Sequence, residues 1–159
     1  MSSPEYLDAG IFIACVDKNH PAYEECEELL LRLMSERRAL TSLATLKEVL
    51  HMIRKVSGAK EYIMALLHSE RLIKIPLTLD ILKKSTEFIF SYGIDAFDAV
   101  AIATALKHEA SIFWTIDIRL IDYVEVLKDR WTELSRIQFR CPTSLDKLRG
   151  VKEKAHSKG

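Results

Sequence analysis

The chain has 159 residues, 48% of them hydrophobic, so it is long enough to bury one sizeable core but too short for two ordinary domains. Its 23 basic and 23 acidic residues cancel, so the overall charge favours neither a nucleic acid nor a membrane surface as a partner. Three widely spaced cysteines without a C-x-x-C pair argue against a secreted disulfide framework and favour a reducing cytoplasm.

The two ends of the chain add little to this picture. The N-terminus lacks a charged leader followed by an apolar core, and no apolar run reaches the roughly 18 residues of a membrane span, so we expect no membrane partner. Residues 146–159 carry five basic and two acidic side chains, a local charge of +3. Such a tail could bind phosphate, but charge at a chain end is more often solvated and frayed. We predict one domain over residues 1–145 and a flexible basic tail over residues 146–159.

Short apolar segments alternate with longer segments of helical period, the pattern of βαβ units around a mostly parallel sheet. Strands are predicted at residues 6–7, 39–41, 72–75, 111–115 and 136–139. Helices are predicted over 20–37, from Ser42 with an apolar stripe of Leu43, Leu46, Leu50 and Ile53, over 59–69, from Thr78 or Asp80 to Ser91, and from Asp95 through an alanine-rich segment. The fold class is therefore α/β.

Acidic residues occur at places where such a fold exposes its ligand-binding edge. Asp8 and Asp117 each follow a predicted strand, and in open α/β sheets ligands bind beyond the carboxyl ends of the strands. Asp98 lies one turn into a predicted helix, and Glu48 lies off the apolar stripe of its own helix. If these carboxylates share one site, their mutual repulsion predicts a bound cation.

The chemistry of such a site follows from its ligands. A set of carboxylate oxygens without His or Cys at ligand spacing favours Mg²⁺ or Mn²⁺ over zinc. A hard cation of this kind can activate a water molecule and neutralise the charge that develops on a phosphodiester. We therefore expect phosphodiester hydrolysis, in which the acids hold metal and one of them also orients or deprotonates the attacking water.

Each acid also has an ordinary structural interpretation. Asp95, Asp117 and Asp8 are well placed to cap helices, and Asp98 is a first-turn acid that the helix dipole stabilises. Glu48, next to Lys47, could be a surface residue. For any one of these residues alone, the structural interpretation is the more common one, so the functional hypothesis depends on all of them together.

The sequence resembles the PIN-domain family, especially its VapC-like members. Four blocks carry the resemblance, in family order: Tyr6-Leu7-Asp8-Ala9, the segment from Thr41 to Val49, the segment from Asp98 to Leu106, and Phe113-Trp114-Thr115-Ile116-Asp117. Together with the intervening helices they cover roughly residues 5–140.

The resemblance implies a three-layer α/β/α domain and Mg²⁺- or Mn²⁺-dependent endonucleolytic cleavage of single-stranded or loop RNA. It assigns Asp8, Glu48, Asp98 and Asp117 to the catalytic acidic quartet, with Asp8, Asp98 and Asp117 as metal ligands. Thr115 matches the small hydroxyl residue that supports the site in many relatives, Ser42 lies in the second block, and Asp95 is a second candidate for the third acid.

The resemblance also implies partners. It predicts a homodimer, for which apolar residues near Ile63, Leu66 and Leu67 suggest a surface, and it allows the protein to be the toxin of a toxin–antitoxin pair. RNA would need cations near the acidic edge, and Arg119 is the best candidate by position. Lys18, Arg54 and Lys55 are better explained as ordinary surface charge. The aromatic residues Phe88, Phe90, Phe113 and Trp114 are expected in the core.

Two other interpretations stay open. Ile116 stands where relatives often carry Asn, and with the neutral net charge this fits a catalytically silent module that keeps the fold and binds RNA or protein. A phospho-accepting receiver domain also has acids at strand ends, but the first strand lacks paired acids and no late lysine is suitably placed. The silent module is the stronger alternative.

Overall fold

The computed structural model describes residues 2–144 and 147–148. Within them, five parallel strands form one sheet in the order β3-β2-β1-β4-β5. The strands are β1 (Glu5–Leu7), β2 (Ala39–Ser42), β3 (Leu72–Ile75), β4 (Ile112–Trp114) and β5 (Gln138–Arg140). The helices are α1 (Ala9–Ala14), α2 (Tyr23–Ser35), α3 (Leu43–Ile53), α4 (Ala59–His68), α5 (Leu79–Tyr92), α6 (Ala96–Lys107) and α7 (Ile118–Leu127), with a short 3-10 helix at Thr132–Arg136.

Helices cover both faces of the sheet, so the predicted three-layer α/β/α architecture is confirmed. Side chains along a strand alternate between the faces. In β1, Tyr6 packs into a core formed with α5, α6 and α7, while Leu7 packs into a second core formed with α1 to α4. In β4, Phe113 likewise packs into the first core and Trp114 packs against the second. The central strands β1 and β2 are buried along their whole length, whereas β5, at the edge of the sheet, exposes Gln138 and Arg140.

Capping residues fix several helix starts. The hydroxyls of Ser42 and Thr78 accept hydrogen bonds from the backbone N–H groups of Thr45 and Ile81, and so begin α3 and α5. Gly93, with a φ of 64°, ends α5 in the left-handed conformation that glycine adopts without strain. In the part of the chain that the structure describes, no helix is both long and apolar enough to cross a bilayer.

The apolar stripe predicted for α3 is half wrong. Leu46 and Ile53 are buried, together with Val49, but Leu43 and Leu50 are exposed. The buried face is therefore rotated toward Val49, because α3 contacts both α1 and α6 and turns its Leu43 edge toward solvent. Helix α2 begins at Tyr23 rather than at residue 20, since the His20 imidazole and backbone form a turn before it.

Two other burial predictions need correction. Phe88 and Phe113 are core residues as expected, but Phe90 is 85% exposed, because its neighbours on α5 face α6 and it points the other way. Conversely, Ile63 and Leu66 are buried against the second core, and only Leu67 of the suggested dimer surface is substantially exposed. The α4 surface therefore offers less apolar area for a partner than the sequence suggests.

Most of the predicted basic tail lies outside the described residues, which lack positions 145–146 and 149–159. Two of its residues are described and contact the domain. The Lys147 ammonium lies 2.9 Å from the Glu25 carboxylate on α2, and Leu148 is buried in the second core. Lys147 and Leu148 therefore both contact the domain.

Candidate active site at the carboxyl edge of the sheet

The sheet reverses its strand order at β1, which lies at its centre between β2 and β4. Connections leave β1 toward β2 and β3 on one side and return to β4 and β5 on the other, so the strand ends open into a crevice at this position. Asp8 directly follows β1 and continues its pairing, because its backbone N–H donates to the Trp114 carbonyl at 3.0 Å. The strands that precede Asp8 and Asp117, β1 and β4, are neighbours in the sheet.

Thr115 links the two strand ends through its side chain. Its Oγ1 donates to Oδ2 of Asp8 at 3.0 Å and accepts from the backbone N–H of Asp117 at 3.0 Å. Both Thr115 and Asp8 are buried. One hydroxyl therefore orients the Asp8 carboxylate and positions the turn that carries Asp117.

Asp95 and Asp117 both cap helices. Oδ1 of Asp95 accepts from the Phe97 N–H at 2.9 Å, and Oδ1 of Asp117 accepts from the N–H groups of Arg119 and Leu120 at 3.1 and 3.3 Å. The structural interpretation is therefore correct for both residues, and both also line a cleft. Asp98, half-buried in the first turn of α6, lines the same cleft.

Glu48 reaches the site from α3, whose start is fixed by a buried hydroxyl cluster. The Tyr6 hydroxyl lies 3.0 Å from Ser42 Oγ and 2.8 Å from Thr45 Oγ1, and Ser42 Oγ donates to Thr45 Oγ1 at 3.0 Å. This cluster joins β1 to the amino end of α3. Ser42 thus fixes the start of the helix that carries Glu48, and the sequence reasoning missed its partners Tyr6 and Thr45, because apolar periodicity does not identify hydroxyl pairs.

The carboxylates influence one another electrostatically. Burial raises the pKa of Asp8 to about 6, and the Asp117 carboxylate adds to this rise. Burial, followed by the charges of Asp8, Asp117, Asp95 and Glu48, raises the pKa of Asp98 to about 7. The pKa of Glu48 is also raised, first by burial and then by Asp8 and Asp95. Acids from β1, α3, α6 and α7 therefore meet in one electrostatic site.

The donor set fits a hard divalent cation in its chemistry. The grouped side chains offer only carboxylate oxygens, and their mutual repulsion is the energy that a cation would relieve. Among the described residues, however, no three Asp, Glu, His or Cys side chains stand at the spacing of a complete metal site. The arrangement is therefore an open one, in which carboxylates would have to rotate inward to share a metal.

Two depressions flank the acids. The first is a cleft of about 580 Å³, lined by Asp95, Asp98 and Asp117 together with Gly93, Ile94, Arg119, Leu120 and Tyr123. Arg119 is exposed, as expected, and is the only cation among the described residues that line this cleft. The second is an apolar groove of about 610 Å³ between α3 and the start of α6, lined by Glu48, Leu43, Leu77, Phe97 and Val100 among others.

Comparisons with known proteins agree with this architecture. The family model described as PIN domain matches residues 6–126. No curated protein sequence matches the chain significantly. Among solved structures, Mycobacterium tuberculosis VapC20, titled a sarcin–ricin loop cleaving toxin, has a TM-score of 0.64 at 16% identity, covering 76% of this chain and 93% of its own.

Two further structures are similar in fold. A toxin–antitoxin complex from Klebsiella pneumoniae has a TM-score of 0.56 at 24% identity and covers 70% of this chain and 84% of its own. VapBC2 from Rickettsia felis, bound to a DNA fragment from its promoter, has a TM-score of 0.57 at 16% identity and covers 86% and 97%. The family match spans most of the chain and contains all four acids. The chain belongs to the PIN domain family.

Proposed function

We propose that this protein is a VapC-like endoribonuclease that uses Mg²⁺ or Mn²⁺ to hydrolyse phosphodiester bonds of single-stranded or loop RNA. The observation that carries the proposal is the convergence of Asp8, Asp98, Asp117 and Glu48 at the strand-order reversal, where neighbouring carboxylates add to the raised pKa values of Asp8, Asp98 and Glu48. Placing several desolvated carboxylates together is unfavourable unless a cation joins them. Family membership and a structural neighbour described as a sarcin–ricin loop cleaving toxin support this interpretation.

The residues would have different tasks. Asp8, Asp98 and Asp117 would hold the metal, with Asp8 oriented by the Thr115 hydroxyl. A bound dication would neutralise charge on the phosphodiester and make a coordinated water more acidic. Glu48, which lines the adjoining groove, would orient the attacking water or accept its proton. Arg119 would hold a neighbouring phosphate, since it is exposed beside Asp117.

Cleavage of a mixed single-stranded RNA by the purified protein tests this proposal. We expect cleavage with Mn²⁺ or Mg²⁺, none with EDTA, and a loss of at least about 100-fold in Asp8→Asn and Asp98→Asn. Asp129→Asn is the matched control, because Asp129 is an exposed acid outside the cleft. Undiminished cleavage by Asp8→Asn would overturn the proposal.

The open arrangement of the acids favours the silent module as a second candidate. Within the described chain the carboxylates are not grouped as a complete metal site, and Ile116 fills the position between Thr115 and Asp117. Calorimetry separates the two functions. Binding of Mn²⁺ to the wild type but not to Asp98→Asn supports the nuclease, whereas no binding to the wild type, together with no cleavage, supports the module.

We further propose an antitoxin protein as a partner, because two structural neighbours are complexes of this kind. The apolar groove beside Glu48 is the surface we assign to it, since Phe97 and Leu77 are exposed there and the groove adjoins the acids.

Co-purification with the product of the neighbouring gene should be lost in Phe97→Glu. If Phe97→Glu instead dissociates a dimer in light scattering, the groove contacts a second copy. Homodimerisation and a cytoplasmic location remain predictions from the sequence.

A further inference from the structure

Tyr123 lines the acidic cleft. Neither the family motifs nor the metal chemistry gives it a role there. It lies on α7, one helical turn beyond Arg119, so the two side chains share a face. Its ring is 40% exposed and lines the cleft beside Asp98 and Asp117. An aromatic side chain that is partly exposed within a charged cleft offers an apolar flat surface to whatever enters.

The Tyr123 ring is also held rigidly. Its hydroxyl donates to the backbone carbonyl of Tyr92, at the end of α5. The Tyr92 ring stacks on Trp131, with centroids 4.7 Å apart and planes within 5°, and Trp131 also contacts Phe88 in the core. The ring of Tyr123 is thus fixed before any ligand binds, which lowers the entropy cost of using it as a contact surface.

The charge of the cleft determines what an aromatic surface would add to the affinity for RNA. Arg119 is the one cation among the described lining residues, against the carboxylates of Asp95, Asp98 and Asp117. Contacts to phosphate are therefore few, and affinity for a polyanion needs a contribution that does not depend on charge. Stacking of a base on an aromatic ring supplies such a contribution, and it is largely insensitive to salt.

Resting on the proposed ribonuclease function, we propose that Tyr123 is the base-stacking platform of this site. It would receive the unpaired nucleobase next to the phosphate held by Arg119. The ligand class is therefore single-stranded RNA with at least one unstacked base beside the scissile bond. The structural alternative is that Tyr123 only ties α7 to the end of α5 through its hydroxyl.

Two substitutions distinguish these roles. Tyr123→Phe keeps the ring and removes the hydroxyl tether, whereas Tyr123→Leu keeps apolar packing and removes the aromatic face. Binding of a fluorescently labelled single-stranded RNA is measured with Ca²⁺, which takes the same oxygen ligands as Mg²⁺. Phe90→Leu is the matched control, because Phe90 is an exposed aromatic residue outside the cleft lining.

We expect Phe90→Leu to bind like the wild type, Tyr123→Phe to bind no more than about twofold more weakly, because only the tether is lost, and Tyr123→Leu to bind at least about fivefold more weakly. The loss should be the same at low and high salt, whereas Arg119→Ala should reduce the salt dependence. Abasic substitution at the contacted nucleotide should weaken the wild type but not Tyr123→Leu further. Equal loss in Tyr123→Phe and Tyr123→Leu, or no loss in Tyr123→Leu, would overturn the platform.

The same samples keep this inference separate from the nuclease. Wild-type protein that binds RNA with the expected Tyr123 pattern but does not cleave it with Mn²⁺ would leave the platform and remove the nuclease. If the wild type cleaves RNA and Tyr123→Leu binds RNA as tightly as the wild type, the nuclease proposal would stand and the platform would be overturned. A wild type that neither binds nor cleaves RNA would remove both.

Discussion

Thr115 and Asp8, 107 positions apart in sequence, share a buried hydrogen bond of 3.0 Å at the point where β1 and β4 end. The same hydroxyl accepts the Asp117 N–H, so one threonine sets the relative position of two acids from different strands. Small hydroxyl residues can orient metal ligands in this way without taking part in the chemistry themselves.

Replacing Thr115 with valine should weaken both the fold and the binding of metal. Valine keeps the volume but leaves Asp8 Oδ2 and the Asp117 N–H without their partner, so we expect about 1–3 kcal/mol lower stability and roughly tenfold weaker Mn²⁺ binding. Urea unfolding and calorimetry measure the two effects. Thr104→Val is the control, because its buried hydroxyl bonds only to the Val100 carbonyl within α6. Equal Mn²⁺ affinities in the two variants would contradict the positioning role.

The metal-free protein should lose stability as the pH rises. Folding raises the pKa of Asp98 to about 7 and that of Asp8 to about 6, above their ordinary value of 3.8, so the folded state binds more protons in this range. Their stabilising contribution is complete below pH 4 and is lost as the pH rises through 6 and 7. In EDTA, the melting temperature should therefore fall between pH 5 and pH 8, and it should fall equally in Asp129→Asn, which keeps both acids.

Asp98→Asn should be more stable than the wild type at pH 8 in EDTA. The substitution removes one half-buried charge from the group, which we expect to add about 1–2 kcal/mol after allowing for solvent screening. Mn²⁺ should raise the melting temperature of the wild type more at pH 8 than at pH 5, because protons compete for the same carboxylates. Mn²⁺ should change the melting temperature of Asp98→Asn little. Thermal scans at both pH values test this, and an equal Mn²⁺ effect in both proteins would count against a shared site.

Gly10→Ala should destabilise the protein although it replaces a helical glycine. A Cβ at position 10 would lie 2.6 Å from Cγ1 of Ile116, closer than real Cβ contacts come. We expect a cost of about 1–3 kcal/mol from this overlap, against a gain of roughly 0.5–1 kcal/mol in helix propensity. In an Ile116→Ala background the overlap disappears, so the same change should become neutral or stabilising. Urea unfolding of the four proteins measures the coupling. Additive effects would show that Ile116 moves aside easily.

Arg38→Met should be far more damaging than Arg32→Met. Arg38 lies 2.6 Å from the buried carboxylate of Glu5, which also accepts from the Trp114 indole at 2.9 Å. Removing the arginine leaves a buried charge without its partner, at a cost of about 3–5 kcal/mol. Arg32 pairs with Glu36 at 3.6 Å on the surface, where such a pair contributes about 0–1 kcal/mol. Similar unfolding midpoints for the two variants would contradict this difference.

The sheet and its ligand-binding edge could be predicted because buried strands and amphipathic helices leave clear periodic patterns. Asp8 and Asp117 follow apolar runs, so parallel pairing alone brings them to one edge. The buried face of an individual helix was harder to predict. Leu43 and Leu50 fit the apolar period of α3 as well as Val49 does, and only the packing of α1 and α6 against α3 decides which of them is buried.

The supporting interactions of the site could not be predicted, since they join residues far apart in sequence. The Tyr6 hydroxyl contacts Ser42 and Thr45 across 36 and 39 positions. A strand tyrosine is normally taken for an apolar core residue, and nothing in its local sequence identifies hydroxyl partners. Tyr123 was missed as well, because no helix was predicted after Asp117; in α7 its spacing of four from Arg119 places the two side chains on a common face.

Glu48 lines the apolar groove and also interacts electrostatically with Asp8 in the acid site. A molecule in the groove and an ion among the acids would therefore both act on the charge of this one carboxylate. Thermodynamic linkage then requires that each changes the affinity of the other by the same factor. Inhibition by a groove ligand would thus need no conformational change, and its strength would vary with the concentration of divalent metal.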